Sequence, residues 1–492
     1  MQHKVRFYFP FYFAPEQKLE LDNYFSQLKA LSLSSVKQHL QGSDSPLKQG
    51  QNAAWEVTQR SVDARFNAHI DQLLNGRPGN HSQAFFGLPA LRLSSDARNI
   101  LNGGGPGDAG SGMRISLSAA ALKRLTDNNI SAPYPDQTWP LIISDAWCFH
   151  FNTGIGILSL DVEYCEPGKH QKHKLDQVSA IAEMNYRLFR NADNKQTATI
   201  AWPQHSNSVN GLRALILAIN PWLADNRVVH GTDAWRTIYT YTAIQTDEVS
   251  TDDELKEQAF RLARHYNDAY LPSEQSLEQG ISQPFATVMH YHSIEGCSTI
   301  VRPTANQAAL DNFINTAVNQ AYEPITLLAY SEYLFLHNLS QGTNITVDMR
   351  NPSEQDFAQL RQYRAKLYNF RLNNRFSHVG QLTQHNDYYA ALKTALGTGA
   401  LLEDISTDVS EIEDFIADHI AEKNRQSLAN IKLMGSMFAA LVLLADLSGI
   451  SILQALTDDE LPLVAKIIFW SLAIGIPAIF LLLSKWLKNH LD

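Results

Sequence analysis

Two long apolar runs near the C-terminal end constrain this chain more than any other feature. Residues 431–456 are interrupted by charge only at Lys432 and Asp446, and residues 461–483 only at Lys466. As a helix the second run is ~34 Å long, enough to cross a hydrocarbon core ~30 Å thick. The pair is therefore expected to form a two-helix transmembrane hairpin spanning 431–492. Lys423, Arg425 and Lys432 precede the first run, and Lys485 and Lys488 follow the second. The linker carries Asp458, Asp459 and Glu460 without a basic residue. Basic flanks stay inside, so the expected location is the bacterial inner (cell) membrane, with the large domain and both termini cytoplasmic. Trp470 and Trp486 are candidate interfacial anchors. The opening stretch MQHKVRFYFPFYFAPEQ is broken by Pro10 and lacks a small-residue cleavage site. It is expected to be a β-strand rather than a secretion signal.

Asp446 falls inside the first run, and an ionisable residue within lipid needs a partner or a watery cavity. Two arrangements satisfy it. Either it pairs with Lys466 on the second run, or several copies of the first helix surround a path that the carboxylates line. Both call for a tight hairpin or an oligomer.

Upstream, residues 351–430 read as a helical stalk. Asn351 or Ser353 supplies a cap, Pro352 sits at the first turn, and Glu354 and Asp356 follow. Gly397-Thr398-Gly399 marks a break. Beyond it, Leu402, Ile405, Val409, Ile412, Ile416 and Ile420 recur at three- and four-residue steps, a single apolar stripe. Seven acids from Glu403 to Asp418 crowd the other face, and no proline or glycine occurs between Leu402 and Met434. The helix is expected to run unbroken into the first apolar run. Such a stripe is ordinarily bundle core, which here suits a stalk packing against copies of itself.

In this order of parts, 351–492 resembles the CorA family of two-span cation transporters, down to the closing Ser484-Lys485-Trp486-Leu487-Lys488. In that family the first span ends in Gly-Met-Asn at the mouth of a homopentameric pore. Gly449, Ile450 and Ser451 stand in the matching place, so the glycine is kept and the asparagine is not. The resemblance implies a homo-oligomer, most simply a pentamer, with Asp446, Gly449, Ile450 and Ser451 along the ion path. A ring of Asp446 carboxylates would favour cations. A divalent cation is the one cofactor-like species it suggests; no certain cofactor or metal site is assigned.

Residues 1–350 mix apolar runs of strand length with helical patterns, which argues an α/β (or α+β) domain with a sensing role. Its strand candidates are 5–13, 141–151, 156–164, 197–202, 235–243 and 286–292, and Thr153-Gly154 is a hairpin turn between two of them. With a net charge of −10 the chain has no general basic footprint, so direct nucleic-acid binding is not expected. Three cysteines at wide spacing give neither a disulfide framework nor a metal knuckle. The glycine-rich 102–112 matches no phosphate-binding motif and reads as a surface loop. Lys169, His170, Lys172, His173 and Lys174 form a basic cluster ahead of a helix that carries Arg187 and Arg190. That cluster is either a solvated loop or the landing site of a phosphate-bearing ligand. His290 and His292 lie two apart on one strand face, without an identifiable third ligand. No hydrolase, metalloprotease or kinase motif appears, so an enzyme is not expected.

Three functions are compatible with this reading. One is an oligomeric membrane pore gated by a small anionic ligand such as a nucleotide. CorA-like channels of that kind serve in antiviral defence, including type III CRISPR systems. The second is a divalent-cation (magnesium, zinc or cobalt) transporter. The third is a sensor or scaffold held by a non-conducting hairpin.

Overall fold

A computed structural model of the chain describes residues 2–13, 18–40, 52–75, 88–102, 114–117, 138–165, 177–190, 198–201, 211–224, 238–246, 251–266, 270–303, 313–341, 354–447 and 467. They divide into two compact units, Met1–Ile405 and Ser406–Asp492.

The first unit is organised by a mixed sheet of eleven strands. In chain order they are β1 (Gln2–Tyr12), β2 (Trp55–Val57), β3 (Leu88–Leu93), β4 (Arg114–Leu117), β5 (Thr138–His150), β6 (Ile155–Tyr164), β7 (Ala198–Ala201), β8 (Tyr239–Gln245), β9 (Ile281–Phe285), β10 (Val288–His292) and β11 (Gly296–Val301). Their spatial order is β2-β3-β5-β6-β1-β8-β11-β10-β9, and β4 bridges β5 and β7. Neighbours are antiparallel except β8 and β11, which run parallel. The β5–β6 hairpin turns at Gly154, whose φ of +84° lies where a side chain is strained, and whose Cβ would stand 2.2 Å from the Phe13 carbonyl oxygen.

Alternation along β1 separates two environments. Val5, Phe7, Phe9 and Phe11 point into the main apolar core. Helices α1 (Lys18–Lys29), α2 (Leu33–Leu40), α3 (Ala68–Asn75), α4 (Ser95–Leu101), α5 (Val178–Arg190), α6 (Gly211–Ile219), α7 (Asp252–Arg264) and α8 (Glu274–Gln279) accompany the sheet. Of these, α1, α2, α5, α6 and α7 supply Leu28, Val36, Ile181, Ile216 and Leu262 to that core. The other face of the sheet meets a π-helical segment (Ile314–Tyr322) that leads directly into α9 (Glu323–Gln341). Two further helices follow, α10 (Glu354–Asn373) and α11 (Thr383–Ala395). Gly397, at φ +68°, breaks the chain before α12 (Thr398–Leu447). Leu402 and Ile405, the first two residues of the apolar stripe, are buried within the first unit.

The transmembrane hairpin expected from hydropathy is not seen. Among the described residues no helix is long and apolar enough to cross a membrane. The 50 residues of α12 are mostly charge-rich stalk, and the apolar part is confined to 431–447, with Lys432 and Asp446 inside it. The expected inner-membrane location and the membrane-spanning architecture lose their basis accordingly. The second run, 461–483, lies outside the described residues except Ile467. In the second unit, α12 exposes Leu428, Ile431, Leu433, Met434, Phe438 and Leu443.

Candidate functional site

The sheet face beneath the π-helical segment and α9 is buried yet polar. Alternation places Lys4, Arg6 and Tyr8 of β1 there, with Asp161 of β6, Tyr239 and Tyr241 of β8, Cys297 and Thr299 of β11, and His290 and His292 of β10. The ladder aligns Asp161, Arg6, Tyr241, Cys297 and His292 in one row across five strands. Polar side chains in such a layer need partners, because an unpaired buried group costs roughly 1–3 kcal/mol.

The ionic end of the row is centred on Arg6, which is 1 % exposed. Its Nε donates to Asp161 Oδ1 at 3.0 Å, and Nη2 donates to the Asn319 side chain of the π-helical segment. Lys4 Nζ lies 2.8 Å from Asp161 Oδ2. Burial opposes ionisation of Asp161, but the charges of Arg6 and Lys4 outweigh it and hold the carboxyl below its ordinary pKa. Arg60 reaches in from the loop after β2, where Nη1 donates to Glu323 Oε1 at 2.8 Å and Nη2 to the Asn319 carbonyl at 3.1 Å. Its guanidinium stands 5.6 Å from the ring centres of both Trp147 and Phe149. Burial, reinforced by the Arg6 charge, brings Arg60 down to about 10. Beside this group, Asp145 of β5 accepts from Arg92 at 3.0 Å and from the Trp147 indole at 3.0 Å.

The other end of the row is neutral. His290 Nδ1 and the Tyr241 hydroxyl both contact Thr299 Oγ1, at 2.8 and 2.9 Å. Tyr388 of α11 covers both histidines edge-on, its ring centre 4.8 Å from His290 and 4.7 Å from His292. Its hydroxyl bonds Thr326 Oγ1 at 3.0 Å and Cys297 Sγ at 3.7 Å. Burial brings His292 down to about 3 and His290 well below its ordinary value, while it pushes Cys297 up to about 12. On the opposite face Cys148 is likewise pushed up to about 12 and His150 down to about 3. The cysteines are thereby held as thiols, the form that disfavours nucleophilic attack, and the histidines as neutral imidazoles of lowered basicity. Among the described residues no group of three or more His, Cys, Asp or Glu could hold a metal ion.

A second ionic cluster joins the helices. Glu332 of α9, 3 % exposed, accepts from the Tyr389 hydroxyl and pairs with Lys393 Nζ at 3.1 Å. Both partners belong to α11, and Thr398 at the start of α12 donates to the Lys393 carbonyl at 3.1 Å. Burial dominates over the Lys393 charge and raises Glu332 to about 7.

The residues singled out by sequence fall elsewhere. Asp446 is the penultimate residue of α12. Gly449, Ile450 and Ser451 lie outside the described residues, as do Lys169, His170, Lys172, His173 and Lys174. Arg187 and Arg190 occupy the last turn of α5. His290 and His292 do share a buried strand face, with Thr299 and Tyr388 as neighbours rather than a metal-ligand set. Sequence reasoning missed Arg6, Arg60, Asp161, Glu323 and Glu332. The usable signal was Lys4-Val5-Arg6-Phe7-Tyr8, in which polar and apolar residues alternate through a strand.

No protein-family model matches the chain, and a search of curated proteins finds no match either.

Proposed function

We propose that this protein is a non-enzymatic, ligand-responsive sensor that self-assembles through α12. The observation that carries the proposal is the exposed apolar row on that helix. Ile431, Met434 and Phe438 are 62 %, 54 % and 68 % exposed at steps of three and four residues, the spacing of a coiled-coil seam. Covering each such side chain in a partner copy contributes roughly 1.5–3 kcal/mol. The sensing half is supported by the buried polar layer, which ties the sheet to α9 through Arg6, Arg60, Asn319 and Glu323. From α9 the Glu332–Lys393 pair continues to α11, whose end hands over to α12.

Sedimentation equilibrium on the full chain tests the assembly. The parent is expected to sediment as a homo-oligomer, and the double variant Met434→Lys, Phe438→Lys as a monomer with an unchanged thermal transition of the first unit. A parent that stays monomeric at high micromolar concentration sinks the proposal.

A further inference from the structure

The ionic end of the row leaves donors unused. Arg6 Nη1 has no hydrogen-bond partner among the described residues, nor does the hydroxyl of Ser159, which is 1 % exposed. The two belong together. Ser159 lies two residues from Asp161 on the same face of β6, and Asp161 is the direct cross-strand neighbour of Arg6. The register makes Arg6 and Ser159 diagonal neighbours, roughly 7–8 Å apart at Cα and within reach of an arginine side chain. Asp161 serves Lys4 and Arg6, and the Asn319 side chain takes Arg6 Nη2. Glu323 faces Arg60 with both carboxylate oxygens, and its Oε1 also accepts from Tyr8 and lies 3.9 Å from Arg6 Nε. A second guanidinium, Arg60, stands close enough to repel Arg6.

We infer that Arg6 Nη1 and Ser159 Oγ, flanked by Arg60, form a binding site for a small oxyanion, either a free anion or the anionic group of a larger ligand. A planar guanidinium offers paired N–H donors that match an oxyanion, and charge-assisted hydrogen bonds of this kind are the strong ones. A negative group there satisfies both orphan donors at once and relieves the repulsion between the two arginines. It also bonds the strand that faces Asn319 and Glu323, which places ligand occupancy beside the start of α9. The inference names the ligand class for the sensor proposed above and rests on that reading.

The test uses the full-length protein, with inorganic phosphate and acetate as probes against chloride at matched ionic strength. Calorimetry and the thermal midpoint are the readouts. Saturable phosphate binding with a rising midpoint is expected, weakened about two- to tenfold by Ser159→Ala, the loss of one hydrogen bond. Arg6→Lys, which keeps charge but loses the fork, is expected to weaken it further. Ser159→Ala removes only the hydroxyl and leaves Cβ and the backbone as they are, so it carries the test even where an Arg6 variant fails to fold. A preference for acetate assigns the site to carboxylates, a preference for phosphate assigns it to phosphoryl groups, and equal binding supports a general oxyanion site. Indifference of the parent to both anions, or identical binding by Ser159→Ala, overturns the inference. Sedimentation of the same samples separates the two proposals. Assembly without anion binding defeats the site alone, whereas anion binding by a permanent monomer defeats the self-assembling sensor.

Discussion

Glu332 makes the stability of the first unit depend on pH in a direction opposite to that of an ordinary ion-paired carboxylate. Its folded-state value is raised from 4.5 to about 7 because burial costs the charged form more than Lys393 returns. The folded protein therefore holds this proton more tightly than the unfolded chain. The stabilisation is fully present below pH ~4.5, falls by roughly 1.4 kcal/mol per pH unit as pH rises, and is lost above pH ~7. Over the whole window the loss is about 3 kcal/mol, a large share of the 5–15 kcal/mol that holds a typical domain.

Glu332→Gln isolates the effect. The amide is neutral at every pH, keeps an oxygen to accept from Tyr389, and cannot ionise in the apolar surround. Urea unfolding between about pH 5 and pH 8 should give similar midpoints for parent and variant at the acidic end. The variant should be more stable by a few kcal/mol at the alkaline end. Lys393→Met should enlarge the alkaline loss, because it removes the nearest cation that offsets burial. Parallel pH profiles for the parent and Glu332→Gln would refute the reasoning. So would a variant that is weaker at every pH, since that outcome makes the carboxylate a net stabilising partner of Lys393.

Asp161 should behave in the opposite sense. Its folded value is depressed by Arg6 and Lys4, so its contribution is present above the unfolded pKa and lost as pH falls through the folded one. Asp161→Asn should flatten the acid limb of the unfolding profile and cost about 3–5 kcal/mol near neutrality, by leaving Arg6 buried without its counter-charge. Gly154→Ala should destabilise the β5–β6 hairpin by more than about 1 kcal/mol, read from the chemical-denaturation midpoint, since φ is +84° and the new Cβ meets the Phe13 carbonyl. Tyr388→Phe should cost about 1 kcal/mol through the lost bond to Thr326, with the fold otherwise intact by circular dichroism.

How much of this was legible in the sequence depended on the range of the interaction. The β1 strand, the Thr153-Gly154 hairpin turn and the helix break at Gly397 are local, and each was readable from alternation or from glycine's access to positive φ. The burial of Lys4, Arg6 and Tyr8 was not local. Charges at every second strand position ordinarily mark a solvated face. Here Asn319 and Glu323, more than three hundred residues away in sequence, roof that face and accept its donors. No periodicity within β1 encodes that cover. The apolar run at 431–456 shows the converse error. Hydropathy averaged over the whole run and read one span. It also gave Lys432 and Asp446 less weight than a hydrocarbon core would. Within the described helix, Ile431, Met434 and Phe438 recur at three- and four-residue steps, a pattern that an average over residues erases. Spacing rather than mean hydropathy separates the two interpretations, and in the proposed assembly Ile431, Met434 and Phe438 face another helix.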